Sequence, residues 1–142
     1  MAAGTFNVFD VFKGELGGES ELNSATFYGV IVSAGWTPAL ATDLSASANF
    51  PTMSAVAGQE SATFKVLGNT EWSAVGSNTY KFDFDDITYT YSVATASKYF
   101  VVYRKSDNKL VGYCDLNVGD SSGVDATKLS VQVHADGAFT MT

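Results

Sequence analysis

The sequence predicts an all-β protein: an antiparallel β-sandwich or barrel of about seven to eight short strands with a short N-terminal amphipathic helix. Three observations predict this fold. Short runs of aromatic and β-branched residues recur along the chain from Thr26 onwards. Several runs alternate apolar and polar residues with the period of two that a half-buried strand shows. Turn-forming residues separate the runs, whereas a parallel α/β sheet would need a helix between successive strands.

Length and composition predict one folded domain over residues 1–142. A hydrophobic fraction of 46% with only 16% charged residues argues against intrinsic disorder. The net charge of −7 disfavours direct binding to nucleic acid, which depends on clustered Lys and Arg. No apolar run approaches the roughly 20 residues that span a bilayer, so we expect no membrane partner.

The first element is predicted to be a short amphipathic helix within an N-terminal helix or arm over residues 1–25. Phe6, Phe9, Phe12 and Leu16 recur at spacings of three and four, which places them on one helical face. A polar, glycine-containing connector follows this helix.

The next predicted strands are Thr26–Val32, which has little solvent on either face, and Thr63–Leu67. Gly68-Asn69 suits the positive φ angles of a tight turn, which predicts a hairpin between Thr63–Leu67 and the run that starts at Thr70. Between the two predicted strands, residues 33–61 form a long Ala/Ser-rich loop without periodicity. Loops of this length are uncommon in compact domains unless they are functional or disordered.

The clearest alternation surrounds Asp85-Asp86, where we predict a turn. Before it, Tyr80, Phe82 and Phe84 alternate with charged residues; after it, apolar residues alternate with Thr and Ser in the order Ile87, Tyr89, Tyr91, Val93. We expect Tyr89, Tyr91, Phe100 and Tyr103 to fill the core.

The last third of the chain predicts a hairpin and two further strands. Lys98–Arg104 and Lys109–Leu116 flank a Ser-Asp-Asn turn. Leu129, Val131 and Val133 alternate with polar residues, and a final short strand runs through Phe139 and Met141.

No catalytic, cofactor-binding or metal-binding site is predicted, and the chain is not expected to be an enzyme. The common hydrolase, metalloprotease and nucleotide-binding motifs do not occur. A single Cys114 and a single His134 cannot form a disulfide or a multi-histidine metal site, and Cys114 is typical of a buried thiol. The acidic cluster of Asp83, Asp85 and Asp86 favours a turn over a calcium site.

Three blocks resemble a family of small bacteriophage virion proteins. Residues 6–40 are similar to its opening helix, polar spacer, apolar strand and W/Y-T-P turn. Residues 80–116 resemble its F-x-A-D-D-[VI]-T-W segment followed by Y-x-V-[VIL]-Y and L-[IV]-G-Y, with Tyr89 where the family tends to tryptophan. Residues 131–142 are similar to its closing strand, turn and G-x-F-T stretch.

The resemblance implies a virion structural protein made in the host cytoplasm, specifically a capsid decoration or cement protein on the capsid exterior. Its partners would be the major capsid protein and its own copies, with a trimer as the expected homo-oligomer. An acidic chain suits the outside of a shell that holds DNA inside. One alternative is a tail or head-tail adaptor protein. Another is a carbohydrate-binding module, which would need aromatic rings exposed on one sheet face.

The candidate contact residues are apolar residues outside the alternating strands: Phe6, Phe9, Trp36, Phe50, Pro51 and Met53. Those in residues 33–61 would either cover the open end of the sheet core or dock on another subunit. If Phe6 and Phe9 belong to an anchoring arm, a chain without residues 1–12 should fold but no longer attach to shells.

Overall fold

The computed structural model of the protein describes residues 4–9, 12, 24–32, 34–35, 37–39, 64–76, 79–107, 109–120, 124–134, 137 and 139–141. These residues form antiparallel sheets, so the all-β prediction is confirmed. Ten strands lie in the described ranges, two more than the upper prediction. They are β1 Phe6–Val8, β2 Phe27–Val32, β3 Phe64–Val66, β4 Glu71–Gly76, β5 Thr79–Asp83, β6 Ile87–Ser97, β7 Tyr99–Arg104, β8 Lys109–Asp115, β9 Val124–Val131 and β10 Phe139–Met141.

The strands form three sheets. The largest has five strands in the order β1-β8-β7-β2-β3; β10-β5-β4 and β6-β9 form the other two. The predicted hairpin of β7 and β8 is confirmed, with Arg104 opposite Lys109 and a bulge after Val102. The side chain of Asp107 closes its turn by accepting hydrogen bonds from Arg104 and from the backbone of Lys109.

The predicted helix is wrong at its first residues, because Phe6–Val8 is strand β1 at one edge of the five-stranded sheet. Phe6 pairs with Cys114 and Val8 with Gly112. A glycine is needed at position 112: a Cβ there would lie 2.6 Å from the backbone oxygen of Asn7 and would also overlap the Phe6 ring. Pairing with a distant strand therefore outweighs the helical spacing of the phenylalanines.

The predicted hairpin at Gly68-Asn69 is also wrong, although the turn itself is present. Asn69 has the expected positive φ of 48°. The strands on its two sides belong to different sheets, however, since β3 pairs with β2 and β4 pairs with β5. The turn is therefore a corner between sheets, and the Asp85 side chain braces it by accepting a hydrogen bond of 2.8 Å from Asn69 Nδ2.

One hydrophobic core joins all three sheets. The five-stranded sheet contributes residues such as Ile31 and Phe100, the three-stranded sheet Trp72 and Phe82, and the two-stranded sheet Tyr89. Among the described residues, the cluster contains Phe12, Phe27, Ile31, Leu67, Trp72, Phe82, Phe84, Tyr89, Phe100, Val102, Val111, Leu116 and Leu129. Aromatic rings meet inside it, with Phe27 and Phe82 edge to face at 5.1 Å between centroids.

A second cluster lies on the opposite face of the five-stranded sheet. It contains Phe9, Val30, Val32, Val101, Tyr103 and Leu110, with Tyr28, Tyr99 and Tyr113 partly buried against it. The expectation that Thr26–Val32 meets little solvent on either face is therefore confirmed. The expectation that Tyr89, Phe100 and Tyr103 fill the core is confirmed as well, whereas the side chain of Tyr91 lies outside the described residues.

Candidate functional site

The structure places only two of the six predicted contact residues. Phe9 is 0% exposed and packs in the second cluster, so its side chain belongs to the chain's own core. Its role as an interface residue stays a prediction that this burial does not support. Phe6 is half-buried, and its ring packs against the first cluster. Trp36, Phe50, Pro51 and Met53 lie outside the described residues, as does most of the 33–61 loop.

The carboxylates near Asp85 hold the backbone in place. Asp86 Oδ1 accepts a hydrogen bond of 2.8 Å from the backbone N–H of Val133, and Asp83 pairs with Lys81 at 2.7 Å. Asp85 braces the corner at Asn69. Within the described ranges, no group of three or more His, Cys, Asp or Glu residues could hold a metal ion. These acids have structural partners, but the predicted turn at Asp85-Asp86 is not formed: residues 84–86 connect β5 to β6, which belong to different sheets.

Cys114 lies beside an apolar cavity of about 300 Å³ between the five-stranded sheet and the end of β9. Phe84, Phe100 and Val133 are among its walls, and the exposed residue His134 is also part of its lining. The thiol is partly buried and donates a hydrogen bond of 3.0 Å to the backbone oxygen of Gly4. Burial, and secondarily the Asp115 carboxylate, raise the pKa of Cys114, while the Gly4 contact lowers it by less.

We expect alkylation of Cys114 by iodoacetamide to be slow near neutral pH. Only the thiolate reacts, and a raised pKa leaves less thiolate at any given pH. The rate should increase with pH through a midpoint above that of a cysteine peptide measured alongside, and the protein unfolded in guanidinium should match the peptide. A folded-state midpoint at or below the peptide value would contradict this environment for the thiol.

A second concave surface, on the other face of the sheet, is the best candidate binding site. We call it the tyrosine groove; it has a volume of about 550 Å³ and is lined by Gly4, Thr5, Asn7, Pro38, Tyr99, Tyr113, Asp115 and Val118. Strand register assembles it, because Asn7 pairs with Tyr113 across β1 and β8 and Tyr99 pairs with Asp115 across β7 and β8. The two tyrosine rings are half-buried and stand at 86°, with centroids 5.8 Å apart.

Lys98 fixes one wall of the tyrosine groove. Its side chain is only 6% exposed, and its ammonium lies 2.8 Å from Asp115 Oδ1. The same ammonium donates to the backbone oxygens of Asn117 at 2.8 Å and Asp120 at 2.6 Å, which ties down the turn after β8. It also lies 5.7 Å from the centre of the Tyr99 ring. One buried cation thus holds a ring, a carboxylate and a loop together.

Sequence reasoning missed the tyrosine groove, because Tyr99 and Tyr113 follow the same alternation as core residues. Only the pairing of β1 with β8 brings Asn7 to them. Within the described part of the chain, no helix is long and apolar enough to cross a membrane. No protein-family model, curated protein or solved structure matches this chain.

Proposed function

We propose that this chain is a structural protein of a bacteriophage virion, and specifically a capsid decoration or cement protein. It would bind the major capsid protein and its own copies on the outside of the shell and stabilise the particle by repeated contacts rather than by a reaction. Many interfaces of about 800 Å² per partner, added together, can supply such stabilisation.

The observation that carries the proposal is how the three blocks of the resemblance interlock. Strand β1 of the first block pairs with β8 of the second, and β10 of the third block pairs with β5 of the second. The glycine of the L-V-G-Y motif, Gly112, is what allows β1 to approach β8. The Asp85-Asp86 motif braces two other parts of the backbone. These motif residues build a scaffold, which is what a structural protein needs.

The fold and charge support the same proposal. We infer that the sheets close around the shared core as a β-sandwich, since the first cluster takes side chains from all three of them. The net charge of −7 suits a position outside the DNA-filled shell. Self-association as a trimer belongs to the proposal, because decoration proteins that collect at symmetric positions on a shell are expected to be closed oligomers.

Purified virions provide the test. Mass spectrometry should find this protein in many copies per particle, and electron microscopy should place it on the outer capsid surface. Particles from a phage that lacks the gene should lose their DNA at a lower temperature and should recover when purified protein is added. Native mass spectrometry of the isolated protein should show a closed small oligomer.

Three outcomes would overturn the proposal. Density confined to the tail or the connector would favour a tail or head-tail adaptor protein instead. Absence from the particles would remove the virion role altogether. A monomer at high concentration that turns over a substrate would replace a structural role with an enzymatic one.

A further inference from the structure

We propose that the tyrosine groove binds a neutral saccharide. This inference goes beyond the structural role and does not depend on it. The groove lies on the second face of the five-stranded sheet and combines half-buried aromatic rings with polar side chains from separate strands.

The two rings supply the apolar part of the site. Tyr99 and Tyr113 are held nearly perpendicular, and neither is fully buried. The C–H faces of a pyranose pack on aromatic faces, as other amphipathic ligands do. The two rings meet edge to face, and the parts of them that stay exposed offer one compact sugar ring an apolar surface. An extended proline-rich peptide would instead need a row of ridges.

Polar groups beside the rings can bind sugar hydroxyls. Asp115 uses Oδ1 for both Lys98 and the backbone N–H of Asn117. Its other oxygen, Oδ2, has no hydrogen bond to another described residue and lies on a side chain that lines the groove. The amide of Asn7, another residue of the lining, donates to the Thr5 backbone oxygen at 2.9 Å, and its carbonyl oxygen has no hydrogen bond to another described residue. Sugar hydroxyl groups can each donate one hydrogen bond to one of these acceptors.

The charged groups of the groove distinguish neutral saccharides from anionic ones. Lys98 lies within the wall, where Asp115 and two backbone oxygens surround its ammonium. The Asp115 carboxylate is thereby neutralised, and none of the described residues that line the groove is a Lys or Arg. Phosphates, sulfated sugars and uronic acids would find no cation to pair with there, on a chain whose net charge is −7, so the expected ligand class is neutral.

The site is held in shape before a ligand arrives. The ring of Tyr99, the carboxylate of Asp115 and the turn after β8 all contact the same buried ammonium. At one end of the groove Gly4 packs closely against Val118, where a Cβ on the glycine would lie 2.9 Å from Val118 Cγ2. A groove whose walls are already fixed loses less conformational entropy on binding.

The test is a titration of the full chain, labelled with ¹⁵N, by three neutral tetrasaccharides built from glucose or N-acetylglucosamine: cellotetraose, maltotetraose and chitotetraose. We expect at least one of them to shift backbone amides clustered at residues 5–7, 99 and 113–118. Tyr113→Ala should weaken that binding about tenfold, whereas Tyr113→Phe, which keeps the ring, should retain it. Tyr28→Ala is the matched control, because Tyr28 is half-buried on the same sheet face, stacks on Tyr103 and lies outside the groove lining.

Two further ligands make the result decisive. A hyaluronan tetrasaccharide, which carries uronic acids, should bind more weakly than the neutral sugar. The inference fails if none of the three neutral tetrasaccharides shifts the groove amides, if a proline-rich peptide shifts them in their place, or if Tyr28→Ala weakens binding as much as Tyr113→Ala. Should Tyr113→Ala not fold, Asn7→Ala provides the second variant, with an expected loss of several-fold.

Discussion

Deletion of residues 1–12 is expected to unfold this protein rather than to release a folded domain. The deletion removes strand β1 together with Phe9 and Phe12, which are 0% and 1% exposed. Truncating one buried phenylalanine to alanine costs about 3–5 kcal/mol. Two such losses approach or exceed the roughly 5–15 kcal/mol by which a domain is stable.

A point variant separates this effect from the loss of a strand. Phe9→Ala should lower the free energy of unfolding by about 3–5 kcal/mol, measured by urea denaturation followed by circular dichroism. Thr5→Ala is the control, because Thr5 is exposed on the same segment and should change stability by less than about 0.5 kcal/mol. A truncated chain that remains folded with a native denaturation midpoint would contradict the assignment of Phe9 and Phe12 to the core.

The expected unfolding of the shortened chain determines which variants can test the proposed capsid contact. The sequence alone predicts that a chain without residues 1–12 stays folded, because Phe6 and Phe9 are assigned to an N-terminal arm outside the core. In the structure Phe6–Val8 of this segment is an edge strand, and Phe9, which follows it directly, is buried. Loss of shell binding after truncation would therefore report unfolding, so the contact must be tested by variants of exposed residues.

Lys98→Met is the second change with a large expected effect. The methionine keeps the apolar stem but removes an ammonium that is almost fully enclosed, with contacts to Asp115 Oδ1 and the backbone oxygens of Asn117 and Asp120. Removing one partner of a buried ion pair costs about 3–5 kcal/mol, since the remaining groups stay desolvated without their partner. We expect a loss near the lower end, about 3 kcal/mol, because the Asp115 side chain is 26% exposed.

Lys81→Met is the matched control for this prediction. Lys81 also has a carboxylate partner, Asp83, at 2.7 Å, but its side chain is 19% exposed. A more solvated pair of this kind contributes about 0–1 kcal/mol. Equal losses for the two variants in thermal and urea unfolding would contradict a structural role specific to Lys98. In a double-mutant cycle with Asp115→Asn, the loss caused by Lys98→Met should shrink, because the two residues act as one unit.

Elements governed by neighbouring residues were predictable from the sequence. Strand β2 was predicted within one residue at its start, and the β7–β8 hairpin was predicted with its turn, because alternation and turn chemistry act over a few residues. The positive φ of Asn69 was also predictable, since it reflects the local conformation of a Gly-Asn turn.

Elements governed by distant partners were not predictable in the same way. The spacing of three residues between Phe6 and Phe9 fits one face of a helix. It also fits a strand that contains Phe6 and ends before the buried ring of Phe9. The strand forms because Gly112, far away in the sequence, leaves room for β1 beside β8. The strands beside Asn69 join different sheets for the same reason. The tyrosine groove combines residues from β1, β7 and β8, so no single stretch of sequence contains its pattern.

The pairing of Phe6 with Cys114 also determines when the protein can finish folding. The ribosome synthesises β8 more than a hundred residues after β1. Until then β1 has no β8 with which to form backbone hydrogen bonds. Folds dominated by such long-range pairings close slowly. During this interval β1, a short strand whose backbone groups are unpaired, can pair with another nascent chain. Yield in the producing cell should therefore depend on synthesis rate and on chaperones more than the final stability would suggest.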